Sequence, residues 1–172
     1  MLLSWSSVGC ARWKVVKSAA PNPFIGHKQF KVEPVDFSEV VAAKNGEPKF
    51  EKDKLAFSKV YATSLREEAD GYQWSTEDNA DTVTIRSKAM SLDGGILMGI
   101  TSTHATAHMI VQLVKGGEVL DEISVKAKAS QEDKVKVFGI STGGYTAAAR
   151  IKDVAKKLGD YVAGYLESRT NP

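Results

Sequence analysis

The chain is predicted to form an α+β domain of two layers, in which a mixed, largely antiparallel sheet with a β-hairpin packs against two helices. Three observations predict this class. Two β-rich runs flank a Gly-Gly turn, a long helical stripe ends the chain, and a shorter helical stripe lies in its first half. The 172 residues are enough for one domain with a hydrophobic core.

The hairpin is predicted from residues 103–114 and 119–129, which are separated by Lys115-Gly116-Gly117-Glu118. Two central glycines accept the positive φ values of a tight turn. Pairing Val114 with Val119 places Ile110 opposite Ile123, and we assign this face to the core.

The second face of the same hairpin carries Met109, Val111 and Leu113. Their strand is therefore apolar on both sides and needs cover from a helix, a tail or a partner. Core burial within the domain is the commoner explanation, and a surface for a protein partner or a second copy is the alternative.

Two helices are predicted from residue spacing. The first covers residues 54–69, with Asp53 as its N-cap and an apolar stripe of Leu55, Val60, Tyr61 and Leu65. The second covers about 146–168, with a broad stripe formed by Ile151, Val154, Ala155, Leu158, Tyr161, Val162, Tyr165 and Leu166. Further strands are predicted at residues 29–37, 72–75 and 82–89.

Charge and composition exclude several classes. Lysine and arginine number 23 against 21 acidic residues, and the charges are interspersed, so nucleic acid is not a predicted partner. No apolar run reaches the roughly 18 residues of a membrane-spanning helix. His104 and His108 lie about 13 Å apart on a predicted strand, which is too far for one zinc ion, so we predict neither metal nor cofactor.

The N-terminus contains the only cysteine, Cys10, preceded by apolar or small residues throughout. Ser7-Val8-Gly9-Cys10 resembles the lipobox at which bacterial lipoproteins are cleaved and acylated. We therefore predict a signal-like segment at 1–10, a tether at 11–28 and a single domain at 29–172. In such lipoproteins a non-acidic residue after the cysteine, here Ala11, implies the outer membrane facing the periplasm. A cytosolic domain with a free thiol is the alternative.

A second motif, Gly139-Ile140-Ser141-Thr142-Gly143, matches the G-x-S-x-G of serine hydrolases and lies between a β-like run and a helix. No histidine follows Ser141, although the hydrolase order requires one. A structural loop with Ser141 or Thr142 as a helix cap is the favoured interpretation, so no catalytic residue is predicted. A small serine hydrolase is kept as an alternative.

The order of elements, with Cys10 and the stretches at residues 80–85 and 116–120, resembles small bacterial lipoproteins whose α/β domain is akin to CsgG and to the N-terminal domain of TolB. The resemblance spans roughly residues 29–168. It implies a non-enzymatic cell-envelope lipoprotein that acts as a binding or assembly module, held to the membrane by its lipid. The long insertions of the CsgG pore are missing, so channel activity is not implied.

Overall fold

The computed structural model describes residues 12–40, 47–77, 79–93, 97–98, 101–102, 105–129 and 147–172. Two helices lie in these ranges, α1 (Glu47–Glu68) and α2 (Ala147–Thr170). The strands are β1 (Trp13–Lys17), β2 (Gln29–Val32), β3 (Gln73–Trp74), β4 (Val83–Asp93), β5 (Leu97–Met98), β6 (Thr101–Ser102), β7 (Thr106–Lys115) and β8 (Glu118–Lys128).

Six strands form one sheet in the order β1-β8-β7-β4-β2-β3, and β5 pairs with β6 separately. The β2 strand is parallel to both β3 and β4, whereas β1, β8, β7 and β4 are successively antiparallel. Both helices pack on one face of this sheet and bury a single core. The predicted α+β class, with its mixed sheet, hairpin and long C-terminal helix, is confirmed.

The helix α2 buries the stripe that its spacing predicts. Seven of the eight predicted residues are at most 4% exposed, and Tyr161 is half-buried. In α1 the prediction is partly wrong, because the helix already begins at Glu47 and Asp53 lies inside it. Leu55 is 74% exposed, while Phe57, Tyr61 and Leu65, spaced four apart, form the buried line.

The hairpin turn and its first pair are as predicted, since Gly116 and Gly117 have positive φ and Val114 pairs with Val119. The next pair is Leu113 with Asp121, so Leu120 is an extra residue that forms a β-bulge. A shift of one residue moves every later side chain to the other face. Val111, and not Ile110, therefore lies opposite Ile123.

This bulge corrects the predicted assignment of faces. Met109, Val111 and Leu113 are 0%, 1% and 1% exposed and belong to the core beneath the helices. They are not a surface for a partner, and the alternative of burial within the domain is the correct one. His108 and Ile110 point to the opposite face, where both are half-buried.

The predicted tether also differs from the structure. Trp13–Lys17 forms the edge strand β1, paired with β8, and the Trp13 ring meets the Tyr165 ring edge-on at a centroid distance of 5.8 Å. Farther along, Phe24 is fully buried. Residues 12–28 are therefore part of the domain, because their few apolar side chains find long-range partners on β8 and α2.

The helices α1 and α2 approach each other closely at Gly159. A Cβ at this position would lie 2.8 Å from both the Ser64 Cβ and the Tyr61 carbonyl oxygen. Beside it, the Ser64 hydroxyl donates to the Asp160 carboxylate at 2.5 Å and lies 3.1 Å from the Lys156 carbonyl, and these contacts hold the two helices in register. Hydrogen is the only side chain that fits.

We expect Gly159→Ala to destabilise the domain, because the two helices must separate to admit the methyl group. Overpacking of this kind costs about 1–3 kcal/mol, offset by up to about 1 kcal/mol of helix propensity. Gly164→Ala is the matched control, since its Cβ would meet the Trp13 ring no closer than 3.4 Å. Chemical denaturation should show a loss at residue 159 only, and equal stabilities would contradict the close approach.

Candidate functional site

Several residues singled out from the sequence lie outside the described residues, namely Cys10, His104 and the motif at 139–143. Of the other histidines, His27 donates from Nε2 to the Gln29 carbonyl at 2.8 Å, and His108 Nε2 lies 2.9 Å from the Ser124 hydroxyl. Within the described ranges, no group of three or more His, Cys, Asp or Glu side chains could hold a metal ion.

A buried carboxylate, Asp121, joins the N-terminal segment to the end of α2. It is 0% exposed and follows the bulge on β8, so its side chain points toward the helices. It accepts hydrogen bonds from the Tyr165 hydroxyl at 2.6 Å, from Arg169 Nε at 2.6 Å and from the Ala19 backbone N–H at 2.8 Å. The buried charge is thus paired and hydrogen-bonded.

The partners of Asp121 extend this connection. Arg169 Nη2 also donates to the Ala19 carbonyl at 3.1 Å, and Asn22 donates from Nδ2 to the Arg169 carbonyl at 2.8 Å. The Gly26 backbone N–H caps the helix by donating to the Thr170 carbonyl at 2.8 Å. Burial, and secondarily the Asp121 carboxylate, raise the pKa of Tyr165, so its hydroxyl remains a donor.

We expect Asp121→Asn to cost about 3–5 kcal/mol of unfolding free energy, because it leaves the Arg169 guanidinium half-paired in a buried setting. The Arg169 side chain is only 17% exposed. Glu33→Gln is the matched control. Its ion pair with Arg86 lies at the surface, where side-chain exposures are 32% and 49%, and should contribute at most about 1 kcal/mol.

Faster amide exchange at residues 13–26 in Asp121→Asn, measured under native conditions, would show that the N-terminal segment loosens first. Equal stabilities of the two variants would contradict a central role for this carboxylate.

The sheet face opposite the helices, here called the open face, is predominantly polar in the part of the chain that is described. Arg86 pairs with Glu33 at 3.0 Å and Lys88 with Glu39 at 2.8 Å, and Gln112 donates to Glu122 at 2.7 Å. These exposed pairs hold side chains in place but add little stability. The open face is therefore a solvated surface with mixed charge.

A cleft of about 340 Å³ lies on the open face near the end of β8. Its polar side chains are Ser91, Thr106, His108, Lys126 and Lys128. Two ammonium groups and two hydroxyls suit an anionic group, and the His108 imidazole lies beside them.

Burial, and secondarily the charge of Lys126, lower the pKa of His108. Its imidazole is therefore neutral near pH 7. The unfolded chain has an ordinary histidine pKa of about 6.5 and takes up a proton first as the pH falls. The contribution of His108 to stability is thus present above about pH 6.5 and is lost as the pH falls below it.

We expect the melting temperature of the wild type to fall more than that of His108→Gln between about pH 7.5 and pH 5.5. Glutamine keeps a hydrogen-bonding partner for Ser124 and does not titrate. Parallel thermal melts of the two proteins across this range test the point. Equal losses would show that protonation of His108 is not coupled to folding.

The sequence analysis placed residues 11–28 in a tether and did not predict the strand β1. It carries two adjacent exposed valines, Val15 at 48% and Val16 at 54%, between the exposed lysines Lys14 and Lys17. Val16 is the extra residue where the pairing of β1 with β8 shifts. The available signal was the β-branched pair Val15-Val16 between two lysines, with Trp13 before them.

Neither described helix is apolar enough over a sufficient length to cross a bilayer. No known family model and no curated protein sequence matches the chain.

Among solved structures, the chain is similar to the hypothetical protein CT253 from Chlamydia trachomatis, with a TM-score of 0.51 and 11% identity over 82% of this chain and 98% of that one. At this identity the likeness establishes the fold and nothing about function.

Two weaker likenesses are a PelC dodecamer from Paraburkholderia phytofirmans and a protein described as a candidate lipoprotein from Caulobacter crescentus. The first has a TM-score of 0.40 and 12% identity over 86% of this chain and 97% of that chain. The second has a TM-score of 0.33 and 13% identity over 78% of this chain and 85% of that chain. Neither carries an argument here, and the predicted resemblance to CsgG and TolB stays a prediction.

Proposed function

We propose that this protein is a non-enzymatic cell-envelope lipoprotein, attached through an acylated Cys10 to the outer membrane and facing the periplasm. The observation that carries the proposal is Ser7-Val8-Gly9-Cys10, small residues directly before the only cysteine of the chain. Thiolate chemistry makes that cysteine the acceptor of a diacylglycerol group, and Ala11 is compatible with outer-membrane sorting.

The domain behind Cys10 serves as a binding or assembly module. Two features support this assignment. The open face is polar and accessible, and the cleft beside Lys126 and Lys128 offers ammonium and hydroxyl donors for an anionic group. A protein partner or a second copy would contact the open face, since Met109, Val111 and Leu113 are buried.

The test is to label cells with a fatty-acid analogue and to separate their membranes. The wild type should carry the label and sediment with the outer membrane, because an acyl chain supplies the membrane affinity. Cys10→Ser should lose the label and move to the soluble fraction, whereas Ser4→Ala, which keeps the cysteine and its three preceding residues, should behave as the wild type. A soluble, unlabelled wild type with a free thiol would refute the anchor.

A further inference from the structure

Strand β1 leaves little slack between Cys10 and the folded domain. Two residues, Ala11 and Arg12, separate Cys10 from Trp13 in the sequence, and a fully extended chain spans at most about 11 Å over that distance. Trp13 itself is fixed by its pairing with Val125 and its contact with the Tyr165 ring. Whatever binds Cys10 therefore lies close to the start of β1.

The surface around this point is basic. Arg12, Lys14, Lys126 and Lys128 are all exposed, and the pairing of Lys14 with Ser124 and of Trp13 with Val125 places Lys126 and Lys128 just beyond the start of β1 on the neighbouring strand. Among the described residues, no carboxylate forms an ion pair with these four side chains.

Exposed apolar side chains lie along the same edge, where Val15 shares the helix-covered face with Trp13 and Lys14 shares the open face with Lys126 and Lys128. Only five large hydrophobic residues of the described ranges are well exposed, and two of them, Val15 and Val16, are neighbours on β1. An exposed apolar pair flanked by lysines is the composition that lies at a membrane interface, with the apolar groups at the acyl boundary and the ammonium groups among the headgroup phosphates.

We infer that the β1 edge, formed by Arg12–Lys17 with Lys126 and Lys128, lies against the anionic lipid headgroups of the membrane that holds Cys10. This inference rests on the proposed anchor and deepens it, because it fixes which side of the domain faces the bilayer. A second copy of the chain is disfavoured at this edge. Antiparallel pairing of β1 with itself would bring its lysines and arginine against like charges, which opposes association.

The test uses the full chain with Cys10→Ser, so that no acyl group contributes, and flotation with vesicles. Binding is expected on phosphatidylcholine vesicles that contain phosphatidylglycerol, should weaken with salt, and should be much weaker on phosphatidylcholine alone. Each basic residue near such a surface strengthens binding about fivefold, so Lys126→Gln/Lys128→Gln should bind about 25-fold more weakly.

The matched control is Lys59→Gln/Arg66→Gln, which removes the same charge from exposed residues of α1, on the side of the domain away from β1, and should bind as the parent. Equal weakening in both pairs, or equal binding to both kinds of vesicle, would overturn the inference. Sedimentation that reveals a dimer dissociated by Val15→Ser/Val16→Ser, without vesicle binding, would assign the edge to a second copy instead.

The experiments distinguish failure of the proposed anchor from failure of the proposed orientation. Labelled Cys10 in cells with charge-independent vesicle binding would refute only the orientation. Charge-dependent binding by an unlabelled protein would refute only the anchor.

Discussion

The single extra residue in β8, Leu120, is the constraint on which the rest of the molecule depends. Without this bulge, Leu120 would face Leu113 and the core, and Asp121 would point to the open face. With it, Val111 and Ile123 meet beneath α2 and Asp121 is buried beside them. Lys17 of the neighbouring strand β1 stabilises the bulge, because its Nζ donates to the Val119 carbonyl.

Burial of Asp121 in turn decides what becomes of the N-terminal segment. A carboxylate without water requires several donors, and here Tyr165, Arg169 and the Ala19 backbone supply them. One donor comes from the segment and two come from α2, so the loss of either leaves the Asp121 carboxylate of β8 without part of its hydrogen bonding. The segment is thereby held to the domain by hydrogen bonding to a buried charge as well as by the burial of Phe24.

The sequence predicted those parts of the fold that depend on local periodicity. The stripe of α2 and the Gly116-Gly117 turn are examples, because spacing and backbone freedom are written in neighbouring residues. A bulge at Leu120 depends on which face α2 covers, and the docking of Trp13 depends on Tyr165, about 150 residues away. Residue spacing does not reveal such long-range contacts. The faces of the hairpin were therefore assigned wrongly, and the residues of β1 were assigned to a tether. Acylation of Cys10 stays a prediction.

The pairing of β1 so close to Cys10 limits how far an anchored domain could rotate above the membrane. A long tether would let the domain rotate freely above a membrane, and its surfaces would be equivalent to an approaching partner. A strand that begins three residues after the attachment point removes most of that freedom. If the β1 edge faces lipid, the opposite edge of the sheet, at β3, points away from the bilayer. Orientation would then follow from β1 pairing, and ultimately from the carboxylate that keeps the segment after β1 in place.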